Sequence, residues 1–215
     1  MKQNYIDVWD PFVRIGHWII VVGFFVAYFT GEDFLSTHVW TGYVVGIVVF
    51  LRILWGFVGP RHARFSDFTY GPQAISSYLF SMLSFRAKRY IGHSPAGGAM
   101  VILLLLSVAA TIVTGVMVYA VEENAGPLAR FYAGSSSTSS SPGATAAAEH
   151  SVGAITKADE REGENESLEY IHELLANVTL ALVVIHILGV VFASIAHREN
   201  LIGAMLTGRK RAPDA

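Results

Sequence analysis

Apolar residues fall in four long blocks, separated by polar connections. The blocks run from about Phe12 to Thr30, His38 to Val58, Gly97 to Val121 and Leu168 to Ile195. At helical rise each is long enough to cross a hydrocarbon core of about 30 Å. Between the second and third blocks, residues 72–85 place apolar side chains at Ile75, Tyr78, Leu79, Met82 and Leu83. That spacing of three and four is helical, but the run is too short to span. It predicts a helix lying in the membrane interface. The polar run RHARFSDFTYGP before it carries Gly and Pro turn signals. The expected fold is an all-α membrane protein, a bundle of four transmembrane helices with one short interfacial helix, forming a single domain over residues 1–215.

Composition agrees. Hydrophobic residues make up 53% and charged residues 15% of the chain, and mean hydropathy is +0.45. A soluble domain of this size would need a more polar surface. The first block reads as a span rather than a cleavable signal, because no small-residue cleavage site follows it. Net charge of −2 and the lack of basic residues interleaved with aromatics argue against nucleic acid as a partner. Cys is absent, which excludes disulfides, thiolate metal sites, iron–sulfur clusters and covalent c-type haem attachment.

Charge also sets orientation. Eleven Lys and Arg residues fall on one side: Lys2, Arg14, Arg61, Arg64, Arg86, Lys88, Arg89, Arg198, Arg209, Lys210 and Arg211. The other side holds Arg130, Lys157 and Arg161, all in the connection 122–167. The positive-inside rule then places both termini in the cytoplasm and that connection outside. The outer loop contains GSSSTSSSPGATAAA, a low-complexity run expected to be disordered, and ends in the acidic DEREGENESLE. The acidic run suits a solvated start to the fourth span, or a docking patch for a basic or haem-bearing partner.

Candidate chemistry lies in the histidines. His172 and His186 are fourteen residues apart in the fourth block. On a helix they share a face to within roughly 40° and stand about 21 Å apart along the axis. Histidine is costly in hydrocarbon and usually turns into the bundle with a task. His17 lies in the first turns of span one, and His38 in the first turn of span two. With the orientation above, His17 and His186 share the cytoplasmic level, and His38 and His172 the outer level.

Structural zinc wants four ligands, and spans one to three contain neither carboxylate nor Cys. A di-iron bundle needs inward Glu from several helices, which those spans do not supply. Iron in a porphyrin has four nitrogens already and needs only axial ligands, which a histidine pair fills. With both axial positions taken, the expected chemistry is electron transfer. Arg52 lies fourteen residues after His38, on the same face and near the depth of His186. A buried Arg needs an anion, and a haem propionate would serve; the alternative is snorkelling to the interface. His62, His93, His150 and His197 fall near charges at loops or helix ends and are expected to be solvated or to face headgroups. His93 has a second possibility, assisting a proton or quinone step.

Several motifs together resemble one family. They are VWDPFVRIGHW around His17, HVWTGY around His38, RILWGFVGPRHARF, YIGHSPAGGAMV, and YIHELLANVTLALVVIHILGVVFASIAHRENLIGAMLTGRK. The chain resembles the bacterial cytochrome b561 proteins, which are related to the b-type cytochrome subunits of nickel-iron hydrogenases. The resemblance covers nearly the whole chain. It implies a four-helix cytochrome of the bacterial inner membrane carrying two haem b groups, non-covalent and bis-histidine. His17, His38, His172 and His186 match the family's axial-ligand positions. It also implies electron exchange with membrane quinone and with a redox protein, such as a c-type cytochrome or a dehydrogenase, with a homodimer as an option. The Ser-rich, acidic outer loop departs from the family pattern.

The function expected is electron transfer between the quinone pool and a periplasmic redox partner. One alternative is a membrane-anchor cytochrome subunit of a hydrogenase or other periplasmic dehydrogenase. Another, from a different class, is a small proton-coupled transporter with a histidine relay.

Overall fold

The computed structural model of the protein describes residues 5–133 and 149–212. Helices dominate: α1 (Pro11–Thr30), α2 (Leu35–Val58), α3 (Phe65–Phe68), α4 (Pro72–Leu83), α5 (Pro95–Glu122), α6 (Ala129–Ala133), α7 (Glu149–Ala196) and α8 (Leu201–Thr207). A 3-10 turn at Arg61–Ala63 precedes α3, and two short strands, β1 (Tyr5–Asp7) and β2 (Arg209–Arg211), lie near the ends. Helices α1, α2 and α5 and residues 163–196 of α7 are long and apolar enough to cross a membrane. They contain the four expected spans, so the all-α, four-span architecture holds. Their outward residues, among them Ile15, Phe29, Phe50, Phe57 and Leu106, are exposed, as lipid-facing side chains should be.

The helix ends follow from local chemistry. Asp10 caps α1 by accepting from the Val13 N–H at 3.1 Å, and Pro11 sits in the first turn, where its missing N–H costs nothing. The short helix expected between the second and third spans is α4, and it buries Tyr78 and Met82 while leaving Leu79 and Leu83 exposed. Residues 149–167, expected as loop, belong to α7. Their Glu, Lys, Arg and Ala content favours helix. The Ser-rich run expected to be disordered lies outside the described residues, apart from its first few neighbours in α6.

The chain forms two compact units, residues 1–109 with 179–215, and residues 110–178. In the first unit, α1 and α2 pack closely where Gly23 meets Val45; a Cβ on Gly23 would overlap the valine. Ser107 and Thr179 share a hydrogen bond of 2.6 Å, and Thr179 is fully buried. The two ends of the described chain are tied together in this unit. β1 pairs antiparallel with β2 in the register Tyr5 with Arg211, Ile6 with Lys210 and Asp7 with Arg209. Gly208, at φ +82°, turns α8 into β2, and its carbonyl accepts from Val8 and Trp9 N–H. A side chain there would meet both the left-handed backbone and the Trp9 carbonyl. The second unit holds the end of α5, α6 and the first part of α7.

Candidate functional site

His17 follows the capped start of α1 by two turns, and His186 lies near the end of α7. In the first unit the His17 imidazole lies within reach of a charge on His186. The His17 Nδ1 is sealed from solvent with no hydrogen-bond partner. The His17 ring stands edge-on to Trp18, with centroids 5.3 Å apart.

His38, one turn into α2, directs Nδ1 at the Ala27 carbonyl of α1, 2.9 Å away. A neutral ring donating from Nδ1 carries its lone pair on Nε2, the nitrogen that most often binds a metal. His172 repeats this arrangement in the second unit. Its Nδ1 lies 3.0 Å from the Thr111 carbonyl and 3.1 Å from the Thr114 hydroxyl. Gly115 makes room for the ring, since a Cβ there would sit 2.8 Å from His172 Cε1.

Arg52 is buried. It is 7% exposed in the second half of α2, its guanidinium lies over the Phe65 ring at 5.6 Å, and its Nη1 is buried without a partner. A buried, unpaired donor on a permanent cation fits a carboxylate brought by another group.

His93 corrects an expectation. It was placed among solvated or headgroup-facing histidines, yet its ring is packed between Trp9 and Phe68, at centroid distances of 4.6 and 4.4 Å. Its Nδ1 is sealed and unpartnered. Burial, then the charges of Arg52 and Lys210, push it down to about 3, against a smaller opposing pull from Asp67. The reason is long-range: α3 and the Trp9 segment, far apart in sequence, close over the loop before α5. The signal was the aromatic content of both segments. His62 is paired with Asp67 at 2.9 Å, and His197 meets the Tyr78 hydroxyl at 3.3 Å, as polar partners at helix ends should. The side chain of His150 lies outside the described residues.

The family profile for prokaryotic cytochrome b561 matches residues 8–208. The chain belongs to that family. Similar to this b561 protein are three relatives, each named a probable Ni/Fe-hydrogenase B-type cytochrome subunit. That of Rhodobacter capsulatus is 27% identical over 148 residues, covering 55% of this chain and 56% of the relative. Those of Azotobacter vinelandii and Azotobacter chroococcum mcd 1 are each 30% identical over 151 residues, covering 55% of this chain and 61% of the relative. The chain therefore spans less than two thirds of the length of these relatives. No solved structure matches it. With four helices long and apolar enough to cross a membrane, this member of the b561 family is a multi-pass protein of the bacterial inner membrane.

The residues present fit a haem b group. A pair of neighbouring imidazoles, two further histidines held through Nδ1, and an orphaned buried arginine form the donor set a porphyrin iron and its propionates need.

Proposed function

We propose that this cytochrome holds two non-covalent haem b groups and passes single electrons between membrane quinone and a redox partner protein on the periplasmic side. His17 and His186 would hold one haem. His38 and His172 would hold the other, an assignment that rests on their matching depth in the sequence and on the family's ligand positions. The observation that carries the reading is the approach of His17 to His186 across two helices 169 positions apart in the chain.

Bound haem supplies a one-electron iron couple. The chain's own residues do the rest. The hydrogen bonds at Nδ1 of His38 and His172 fix the tautomer that presents Nε2, and they raise the basicity of the ring. With four histidines holding the two haems, no position would be left open to dioxygen. Arg52, buried with its Nη1 unpartnered, would offer a cation to a haem carboxylate and so hold the potential up. The apolar walls exclude water from the metal.

A reduced-minus-oxidised spectrum with haem quantitation tests this. Two haems per chain are expected, and about one in His17→Ala and in His186→Ala. One haem in the native protein, or full content in either variant, overturns the scheme. Arg52→Ala should lower one midpoint potential by about 60 mV, the equivalent of tenfold for one electron. An unchanged potential would leave Arg52 a packing residue.

A second reading is favoured by the relatives' names: a membrane-anchor cytochrome for a hydrogenase. Co-purification with a periplasmic dehydrogenase under mild detergent would select it. Membership in a cytochrome family disfavours the transporter.

A further inference from the structure

One groove in the first unit lies along the exposed apolar side of α1. It has a volume of about 610 Å³ and runs between α1 and α2, with α8 closing one end. Along its length it is walled by exposed apolar side chains, Ile15, Val22 and Val44 among them. Its closed end is different. Arg14 and Trp18, one turn apart on α1, line it there with Leu206 of α8.

The polar atoms at that end are unusual. Arg14 Nη2 donates to the Leu206 carbonyl, but Arg14 Nε is buried with no partner. Trp18 Nε1 is likewise buried with no partner. Among the described residues no carboxylate lies within ion-pair distance of Arg14. Three features therefore coincide: a permanent cation lining the groove, two sealed and unmet N–H donors on the same two lining residues, and an apolar trough along a membrane helix.

We infer that this groove is a binding site for one anionic phospholipid, its phosphate against Arg14 and Trp18 and an acyl chain along α1 and α2. Buried donors without partners cost stability unless something accepts from them, and a phosphate offers several strong acceptor oxygens. The charge argues for a phosphate over a neutral headgroup, since the cation has no counter-charge from the chain. The trough argues for a lipid over a free anion, since its walls offer nothing to a small ion. Basic pockets beside membrane helices are a known physical setting for anionic lipid headgroups. The site also lies beside the paired chain ends, because Arg14 approaches Gly208. The bound lipid would brace α8 against α1.

The test is lipid retention, and it does not depend on the haem assignment. The haem-loaded cytochrome is delipidated in neutral detergent, then offered phosphatidylglycerol or phosphatidylcholine in mixed micelles and weighed by native mass spectrometry. One phosphatidylglycerol per chain is expected, with phosphatidylcholine bound about tenfold more weakly. Arg14→Gln and Trp18→Phe should each lower phosphatidylglycerol retention about tenfold, with haem content kept as the check on folding. Arg14→Lys, which keeps the charge but loses Nε, should fall between. Arg209→Gln, an exposed cation outside the groove, should retain lipid as the native protein does. Equal retention of the two lipids, equal loss in Arg209→Gln, or recovery of quinone in place of phospholipid from this groove would overturn the proposal.

Discussion

His38 Nδ1 and the carbonyl oxygen of Ala27 are 2.9 Å apart, a hydrogen bond from the first turn of α2 to the last turns of α1. The Ala27 carbonyl, in the last turn of α1, also accepts from the Thr30 hydroxyl at 3.4 Å. The His38 bond orients an imidazole that stands at the edge of a span. One contact therefore closes a helix end and aims a ring.

That dual role predicts different outcomes for two substitutions. His38→Ala removes ligand and hydrogen bond together and should cut haem content to about half. His38→Met keeps a soft ligand and should retain haem with a raised midpoint potential, since methionine in place of histidine raises the potential of a haem iron. Potentiometric titration with haem quantitation reads both. Full haem in His38→Ala would remove this residue from the ligand set.

A second prediction concerns the space left for His172. Gly115→Ala would bring a methyl group to 2.8 Å from His172 Cε1 and 3.3 Å from its Nδ1, within a ring already tied to Thr111 and Thr114. The ring has to turn or the helices have to part, at a cost of about 1–3 kcal/mol. Lower haem occupancy and a lower thermal midpoint are expected in the same variant. Unchanged haem and stability would mean that the ring can swing aside freely.

The spans were legible because hydropathy over some twenty residues reports directly on the solvent a helix needs. The short helix α4 was legible for a similar reason: Tyr78 and Met82 sit at the spacing that makes one face, and that face is buried. Arg52 could be singled out because a cation at membrane depth must have a reason. His93 could not be placed correctly, because nothing local says that Trp9, Phe68 and Lys210 converge on it from three different parts of the chain. The strand pair at the chain ends escaped for the same reason. Three residues at either end make no pattern until the ends meet. Residues 149–167 were misjudged as loop because charge suggested solvent, while the helix they form needs no apolar face to be continuous with the span after it.

A third prediction lies at the chain ends. Glu199 receives Arg89 through two nitrogens, at 2.6 and 3.4 Å, and Lys210 approaches to 4.0 Å. Lys210 is 6% exposed and also lies over the Trp9 ring, so its charge depends on this partner. Glu199→Gln would leave two cations facing each other without a counter-charge. A loss of about 3 kcal/mol is expected, from the cost of breaking a buried ion pair on one side only. Arg209→Gln, whose pair with Asp7 is open to solvent, should change stability by less than about 1 kcal/mol. Thermal unfolding in detergent compares the two.

The last prediction is a pH dependence with a defined sign. The His93 ring is packed between Trp9 and Phe68 with its Nδ1 sealed, and burial with the Arg52 and Lys210 charges pushes it down to about 3. An unfolded chain takes up that proton near pH 6.5. Above about 6.5 the ring is neutral in both states, so stability does not depend on it. As pH falls from there toward about 3 the unfolded state binds a proton that the folded state refuses, and stability drops by at most about 1.4 kcal/mol per unit. Below that the loss levels off. Two other groups titrate nearby. His197 is also pushed down by burial, so it adds to the same slope. Burial would raise the Glu199 carboxyl, but the Arg89 hydrogen bond and the charges of Lys210, Arg89 and Arg211 hold it below its ordinary value, so its contribution is lost only at lower pH. His93→Phe should therefore flatten the stability profile between pH 6.5 and 5, where Glu199 is still ionised. His197→Gln should flatten it less, because that ring is more open and carries the partly compensating charge of Glu199. Urea unfolding of the haem-loaded protein in detergent at half-unit steps reads the slope. An unchanged slope in His93→Phe would mean that the loop before α5 opens before the ring takes up its proton.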